Sequence, residues 1–437
     1  MSSTLISRAA ARRHIHYGWI VAAVTFLTML VTAGAVGAPG VFIVPLEKEF
    51  GWSTADISTA LALRLGLFGL MGPFAAAFMN RFGVRRVASC ALMLILSGLV
   101  GSLWMTTLWQ LVLLWGIVVG LGTGLTALVL GATVATQWFS ARRGLVVGCL
   151  TASTATGQLV FLPLLAQMTE TYGWRSALGV VLALLVLAII AVLTLMQDRP
   201  SDLGLAPYGG TEVVFPPAQA MPLRTLVTSP LMALRDAGRT RTFWVLFGTF
   251  FVCGASTNGL IQTHFVALCG DFGVAAVGAA GILAVIGIFD FFGTVASGWL
   301  SDRIDNRHLL FWYYGLRGIS LIYLPFTDFT FYGLSFFAVF YGLDWVATVP
   351  PTVALTARTF GRERANLVFG WVFAGHQLGA ATAAYGAGLT RTMASSYLPA
   401  FFIAGILCLL AALAVLTIRM PGEVIAPSAP DPIPAKA

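Results

Sequence analysis

The stretch NRFGVR at residues 80–85 returns as DRIDNR at residues 302–307, which is 222 positions further along the chain. Two other parts of the sequence recur at the same distance. A fixed offset in three separate places predicts an internal repeat of the fold. The corresponding residues outside the quoted stretches are Arg142 and Arg364, Gly148 and Gly370, Gly157 and Gly379, Gly120 and Gly342, and Gly122 and Asp344.

Long apolar runs surround the repeated stretches. Hydrophobic residues make up 58% of the 437 positions and charged residues only 10%, far from the ~25% charged residues of a soluble domain. Each run is long enough, at ~1.5 Å per residue, to cross ~30 Å of hydrocarbon as a helix. We therefore predict an all-α membrane protein with twelve transmembrane helices. The runs are 17–45, 56–79, 87–105, 108–138, 144–169, 174–196, 242–268, 275–300, 308–326, 329–356, 366–390 and 397–418.

The offset of 222 residues carries six apolar runs. Because six is even, the two halves have the same orientation in the membrane and form two parallel six-helix repeats. Within the polar join, residues 198–210 are expected to be ordered and residues 211–222 flexible. The predicted parts are a cytoplasmic flank at 1–16, the first half at 17–196, a cytoplasmic linker at 197–241, the second half at 242–419 and a disordered tail at 420–437.

The basic residues indicate which side of the membrane holds the termini. With twelve crossings both termini lie on one side, which receives twenty Lys and Arg residues, whereas the other side receives Lys48, Arg175 and Arg391. Cytoplasmic loops carry such an excess, so both termini are predicted to be cytoplasmic. The net charge of +8 then faces anionic lipid headgroups and requires no nucleic-acid partner.

Other classes of protein find little support in the sequence. The five cysteines lie in or at the ends of apolar runs, without metal-ligand spacing, so we interpret them as packing residues. The start of the chain, residues 1–14, lacks acidic residues, as a transit peptide does. The apolar run that follows is too long for a signal sequence, so we interpret this start as the cytoplasmic flank of the first helix. No metal-ligand cluster, Ser/His/Asp arrangement or phosphate-binding loop is visible in the sequence. We therefore expect neither an enzyme nor a cofactor.

The repeated loops resemble the signature Gly-x-x-x-Asp-Arg-x-Gly-x-Arg of the major facilitator superfamily. In the first copy Ala76 and Asn80 stand for the Gly and the Asp, and the second copy lacks the inner Gly. In that family the loops clamp the cytoplasmic gate, so the resemblance implies a gating role; plain basic flanks of two helices are the alternative. The residues concerned are Asn80, Arg81, Gly83, Arg85, Asp302, Arg303 and Arg307.

More specifically, the sequence resembles the bacterial branch near the monocarboxylate transporters and the oxalate/formate exchangers. Monocarboxylate transporters carry an Asp and, one turn later, an Arg in the eighth helix, which serve proton and substrate. Asp290 matches that Asp, but Thr294 stands at the Arg position, so no substrate is transferred by the resemblance. The stretches that carry it are YGW at 17–19, FIVPLEKEFGWS at 42–53, WFSARRG at 138–144 and RPSDLGLAPYG at 199–209.

Four charged residues lie deep inside predicted spans, where a charge is costly and indicates either function or a buried ion pair. Asp290 and Arg317 lie at matching depths, so we predict that they form a buried pair. Asp344, whose repeat partner is a glycine, is a candidate for proton coupling or for an ion pair with Arg317 or Arg64. Arg64 is the candidate substrate anchor, because its planar fork can bind a carboxylate through two hydrogen bonds. Snorkelling to the interface, or pairing with Asp344, is the alternative for Arg64.

Polar residues in the second half complete the candidate site. His264 and His376 are of a residue type that can titrate near neutral pH and could couple protons, although a histidine in a helix is more often a satisfied hydrogen-bonding group. Asn258 and Gln262 are four apart and, with Gln377, could offer amide hydrogen bonds to a polar ligand.

These features together predict a secondary active transporter for a small organic anion, coupled to protons and working by alternating access of the two halves. An anion exchanger or exporter of another small metabolite on the same scaffold is the alternative. The expected partners are the substrate, protons and membrane lipid, and we expect a monomer in the bacterial inner (plasma) membrane.

Overall fold

The computed structural model describes residues 16–126, 128–213, 223–301 and 303–418. The predicted tail at 420–437, most of the flank at 1–16 and Asp302 lie outside the described residues, as does most of the predicted flexible segment at 211–222.

The described chain is helical apart from short turns and the segment 196–213, whose only helical part is a 3-10 turn at Pro200–Leu203. The helices are α1 (Tyr17–Phe50, interrupted at Ala38), α2 (Thr54–Phe82), α3 (Val84–Ser102), α4 (Leu108–Leu111, Val112–Val119, Gly120–Leu125 and Leu128–Trp138), α5 (Arg143–Tyr172), α6 (Trp174–Leu195), α7 (Leu223–Ala237), α8 (Arg241–Asp271), α9 (Ala276–Ser301), α10 (Asn306–Tyr323), α11 (Phe331–Asp344 and Val349–Phe360), α12 (Arg362–Ala394) and α13 (Leu398–Val415).

Within the described residues, nine of these helices are long and apolar enough to cross a membrane, namely α1 to α4, α6, α8, α9, α11 and α13. The helices α5, α10 and α12 coincide with the predicted spans 144–169, 308–326 and 366–390 but are not among the nine. The number of twelve crossings therefore stays a prediction.

Large apolar side chains cover the outside of the bundle. On α9, for example, Ile288, Phe292 and Trp299 are each more than half exposed, and α13 presents Leu410 and Leu413 in the same way. Such a surface is unfavourable in water but suits a hydrocarbon environment, in which helices satisfy their own backbone groups. The bundle is therefore built to be surrounded by lipid.

Side-chain contacts identify the two ends of the bundle. At the end that we call the linker end, Tyr17 Oη donates to the carbonyl of Leu195 at 2.8 Å. At the opposite end, which we call the far end, the Arg175 guanidinium pairs with Glu49 at 2.5 Å. The helices α2 and α9 both begin at the far end and run to the linker end.

Glycines make the tightest turns between successive helices. Gly83, Gly173 and Gly361 have φ values of 88°, 83° and 80°, a conformation that other residues adopt only with strain. They join α2 to α3, α5 to α6, and α11 to α12. Neighbouring helices can therefore run antiparallel with almost no intervening chain.

A capping box starts α2 at the far end. The N–H of Asp56 donates to Ser53 Oγ at 3.1 Å, and the N–H of Ser53 donates to the Asp56 carboxylate at 3.1 Å. Each side chain thus satisfies an N–H group that has no partner within the helix.

Each of the two predicted halves, which we call the first half (17–196) and the second half (242–419), has a close helix contact built on a glycine. A side chain at Gly157 of α5 would overlap the carbonyl oxygen of Leu30 in α1, and one at Gly379 of α12 would overlap the carbonyl oxygen of Phe251 in α8. The two glycines are the residues that correspond across the offset of 222 positions. The helix pairs α1–α5 and α8–α12 can approach this closely only because a hydrogen atom replaces a side chain.

The join between the halves is fastened on both sides. The N–H of Tyr208 donates to the carbonyl of Trp138 at 2.8 Å, so the first part of the join packs on the first half. The helix α7 lies against α12 and α2, and Trp371 Nε1 of α12 donates to the carbonyl of Pro230 at 2.8 Å. The end of the join is therefore attached mainly to the second half.

Candidate functional site

A break in α11 lies at the centre of the buried polar groups. The helix is interrupted at residues 345–348, just before Pro350 and Pro351. Because proline has no N–H, carbonyls one turn earlier lose their helical partners. The carbonyl of Ala347 instead accepts from Ser297 Oγ of α9 at 2.5 Å. Backbone groups that the break leaves unpaired in the interior must be satisfied by side chains in this way.

Arg317 of α10 fills the break. Its Nε donates to Asp344 Oδ2 at 2.6 Å, and its Nη2 donates to the carbonyls of Asp344 and Trp345 at 2.6 and 3.1 Å. Its Nη1 donates to Sγ of Cys253 in α8 at 2.9 Å, so this cysteine, predicted to be a packing residue, also accepts a hydrogen bond. Arg317 is 1% exposed. The cation, the carboxylate and the broken backbone form one buried unit.

Asp290 of α9 binds the break from the other side and does not pair with Arg317. Its Oδ1 accepts from the N–H of Val346 and from Oγ1 of Thr294, both at 2.9 Å. The predicted Asp290–Arg317 ion pair is therefore wrong, and Arg317 pairs with Asp344, which confirms one of the alternatives predicted for Asp344. The physical reason is the break itself: its free carbonyls attract the guanidinium, whereas its free N–H requires an acceptor.

One carboxylate oxygen of Asp344 is left without a partner in the described part of the chain. Its Oδ1 is buried and accepts no hydrogen bond from the described residues. When Asp290, Arg317 and Asp344 are all ionised, the cluster carries two negative charges and one positive charge. An uncompensated charge in the interior is costly, and a single bound proton would neutralise the cluster. We call these three residues the charge cluster.

Arg64 of α2 stands apart from the charge cluster. It is 4% exposed, and its Nη1 donates to the carbonyl of Ala35 in α1 at 3.3 Å. Within the described residues, its Nε has no hydrogen-bond partner and no carboxylate pairs with it. The alternatives of an Arg64–Asp344 pair and of snorkelling are therefore both wrong, because Asp344 is taken by Arg317 and Arg64 is buried in protein.

The backbone at Arg64 is held by α4. A Cβ on Gly120 would lie 3.1 Å from Arg64 Cα and 3.3 Å from its carbonyl oxygen. Gly342 of α11 approaches Ile286 of α9 in the same manner, and Ile286 stands 222 positions after Arg64. The first half thus places a cation where the second half has an apolar side chain.

The amides of the second half lie near the contact between the halves. Neither polar atom of the Gln262 side chain has a partner in the described residues, and the same is true of Gln377 Oε1. Gln377 packs directly on Gly69 of α2, and the carbonyl of Gln262 lies close to Gly40 of α1. Both amides are buried and retain unused hydrogen-bonding capacity.

The segment of α8 that holds Asn258 and Gln262 is not an ordinary α-helix. Residues Ala255–Gln262 of α8 form π-helical turns, and Thr263 Oγ1 donates to the carbonyl of Asn258 at 2.7 Å. Gln262 is buried, whereas Asn258 is partly exposed, so the two amides that the sequence argument placed on one face differ in burial.

The two histidines are held by packing. His264 Nε2 donates to the carbonyl of Ala384 at 2.8 Å, and its ring lies 5.1 Å from that of Tyr397. The ring of His376 lies 4.9 Å from Phe250. Both histidines have an Nδ1 without a partner in the described residues. His264 therefore fastens α8 to α12, as the alternative interpretation of a hydrogen-bonding histidine expected.

The first of the two repeated loops, residues 80–85, is attached to its own half; we call the two repeated loops gate loops after their predicted role. The N–H of Arg85 donates to Asp198 Oδ1 at 2.8 Å, and its guanidinium donates to the carbonyl of Leu193 at the end of α6. Asp198 also packs on Gly83, where a side chain would overlap its carboxylate. Arg81 lies over the ring of Phe82. The side chain of Asn80 lies outside the described part of the chain.

The second gate loop makes a related contact. Arg307 Nη1 donates to the carbonyl of Ile418, just after α13, at 3.0 Å, and its Nη2 pairs with Asp305 at 2.7 Å. The hydrogen bonds from Arg307 hold the pKa of the Asp305 carboxyl below its usual range. Arg303 stacks over Trp299 at 4.1 Å. Arg85 and Arg307, which are 222 positions apart, thus each bind the end of the last helix of their own half.

The apolar exterior, the buried charges and the interrupted helix define a multi-pass membrane transporter. Residues 25–349 match the family model of the Major Facilitator Superfamily. The chain belongs to this superfamily.

Similar proteins agree with this membership. The chain is 23% identical to an uncharacterized MFS-type transporter, YcxA, of Bacillus subtilis, over 87% of this chain and 90% of that protein. It is 28% identical to monocarboxylate transporter 13 of Rattus norvegicus, over 89% of this chain and 86% of that protein. Among solved structures, a D-xylose-proton symporter superposes with a TM-score of 0.67 over 92% of this chain and 98% of that one. At 16% identity this likeness shows the fold alone.

The chain is therefore an integral, multi-pass membrane transporter with a small-molecule substrate, and it is not an enzyme. This agrees with the class that the sequence predicted.

Proposed function

We propose that this transporter moves a small organic anion of the monocarboxylate type by alternating access and that protons drive the transport. The observation that carries the proposal is Arg64, a buried guanidinium with one backbone hydrogen bond and no carboxylate partner in the described residues. A buried cation without a counter-ion is costly. A substrate carboxylate would supply the missing charge through hydrogen bonds to the planar fork.

The unused amides support the same proposal. Gln262 and Gln377 are buried with free polar atoms and belong to the helices α8 and α12, which contact α1 and α2. A ligand between the halves could accept or donate hydrogen bonds there, and Asn258 and His376 offer further polar groups. The similarity to monocarboxylate transporters favours a carboxylate over other anions.

Proton coupling is proposed for the charge cluster. With two carboxylates and one guanidinium, it has one negative charge in excess, and Asp344 Oδ1 has no partner in the described residues. Protonation of Asp290 would also weaken the hydrogen bond from the N–H of Val346 and so loosen the break in α11. Proton binding could in this way be linked to a change in helix geometry.

The proposed setting follows from the charges along the chain. The linker end carries the excess of basic residues, so we propose that it faces the cytoplasm with both termini. We further propose that the repeat comprises twelve crossings and that a monomer functions in the bacterial inner membrane.

Two experiments test the function. In a thermal-shift screen of purified protein, small monocarboxylates should raise the apparent melting temperature, because a ligand that binds the folded state stabilises it. Neutral and amine analogues of the same size serve as matched controls. A shift produced equally by the neutral analogue would contradict the proposed anion specificity.

The second experiment uses the active carboxylate in proteoliposomes with an imposed pH gradient. Accumulation that follows the gradient is expected for proton-coupled transport. Indifference to the gradient, together with uptake that requires substrate inside the vesicles, would instead identify an exchanger.

A further inference from the structure

Among the described residues, two hydrogen bonds to helix N-termini cross between the halves at the far end. The N–H of Ala276, the first residue of α9, donates to Glu170 Oε1 near the end of α5 at 3.1 Å. The N–H of Ala55, in the first turn of α2, donates to Thr392 Oγ1 near the end of α12 at 3.2 Å. Both donors are first-turn N–H groups, which have no acceptor within their own helix.

The two hydrogen bonds occupy corresponding positions in the two halves. Glu170 and Thr392 are 222 positions apart, the offset at which the sequence repeats. The same offset carries Thr54 to Ala276, so the two donors correspond to within one residue. In one case the end of α5 contacts the start of α9, and in the other the end of α12 contacts the start of α2. Both contacts therefore join the fifth helix of one half to the second helix of the other half.

We propose that Glu170 and Thr392 are positioning residues of the transport cycle that together form a latch holding the far end closed. Each side chain caps a helix of the opposite half, so the far ends of the halves can separate only when both caps are released. The latch does not depend on which substrate is carried, and it therefore goes beyond the proposed function.

The two parts of the latch contribute unequally. The start of α2 already has its own capping box, formed by Ser53 and Asp56. The first turn of α9 has no acidic residue, so the Glu170 carboxylate supplies the negative charge that favours a helix N-terminus. Glu170 should therefore hold the closed state more strongly than Thr392 does.

A cavity borders the Glu170–Ala276 contact of the latch. Its volume is about 710 Å³, and its lining includes Glu170, Ala276, Val41 and the paired Asp271 and Arg391. Val41 of α1 is only 4% exposed, which makes it a suitable reporter position. Opening of the latch would admit a hydrophilic reagent to this cavity.

The test measures the labelling rate of Val41→Cys by a membrane-impermeant maleimide in the purified full-length chain, read by peptide mass spectrometry. The peptide-level reading separates position 41 from the exposed Cys90 and Cys149. Glu170→Ala should raise the rate about two- to fivefold, the range expected for one exposed charge at a helix N-terminus. Thr392→Val should raise it less, and the double variant more than either.

Two variants act as controls. Thr382 is also an exposed threonine of α12, but it donates only within its own helix, so Thr382→Val should leave the rate unchanged. Glu170→Gln keeps an acceptor oxygen and loses the charge, and it should give an intermediate rate. The latch is refuted if Glu170→Ala and Glu170→Gln both label at the wild-type rate, or if Thr382→Val accelerates labelling as much as Thr392→Val does.

Discussion

Replacement of Arg317 by methionine keeps a long apolar side chain but removes the only cation of the charge cluster. The carboxylates of Asp290 and Asp344 would then repel each other without a compensating cation. The carbonyls of Asp344 and Trp345 would also lose their hydrogen-bond donors. Removal of one partner of a buried ion pair typically costs about 3–5 kcal/mol of unfolding free energy. Asp344→Asn leaves one carboxylate and one guanidinium and should cost only about 1 kcal/mol, because a charge-assisted hydrogen bond becomes a weaker one.

The double variant separates this account from simple loss of packing. In Arg317→Met combined with Asp344→Asn, the second change removes one of the two repelling charges, so the total cost should fall below the sum by about 1–3 kcal/mol. The assay is the unfolding free energy in detergent micelles. Arg303→Met, at an exposed arginine stacked on Trp299, is the matched control and should cost less than about 1 kcal/mol. The reasoning is refuted if Arg317→Met costs under about 1 kcal/mol or if the two changes are additive.

Four further outcomes are expected. Arg64→Lys should weaken the apparent affinity for a carboxylate substrate about tenfold or more while changing the melting temperature little, since one good charge-assisted contact is replaced by a point charge; an unchanged KM would remove Arg64 from the site. Gly120→Val should reduce substrate binding without touching substrate, because the new side chain must displace the backbone at Arg64; normal binding would show that the contact is dispensable. Asp344→Asn should abolish accumulation driven by a pH gradient and leave a folded protein, as judged by size-exclusion profile and uptake down a substrate gradient. Arg307 lowers the pKa of the Asp305 carboxyl. The small contribution of this carboxylate to the unfolding free energy is therefore complete above the ordinary carboxyl pKa and is lost as pH falls through the lowered value. Thermal melts of Asp305→Asn should differ from those of the wild type at neutral pH and converge with them in strong acid.

The family and the candidate residues were predictable from the sequence because they depend on composition and on local order. Hydropathy, the excess of basic residues and the repeated loops can all be recognised without knowledge of tertiary contacts. The break in α11 was also readable, since Pro350 and Pro351 follow it directly, but the prediction treated residues 329–356 as one helix.

The choice of ion pair could not be predicted in the same way. Depth along a helix brings Asp290 and Arg317 to one level of the membrane, but it does not say which backbone groups are unpaired at that level. The carbonyls freed beside Asp344 decide the position of Arg317, and their position depends on how α9, α10 and α11 pack. The π-helical turns of α8 likewise depend on tertiary packing; a local hint is the run of weak helix formers STNG at residues 256–259.

The contacts of the join indicate how the protein could be expressed as two fragments. The chain up to Tyr208 is bound to the first half, and α7 is bound to Trp371 of the second half. Both gate loops and both glycine seams also make their contacts within one half. Two separately encoded polypeptides, divided between residues 213 and 223, would each retain these contacts. Co-expression of such fragments should therefore reconstitute the assembly and allow isotopes or probes to be introduced into one half at a time.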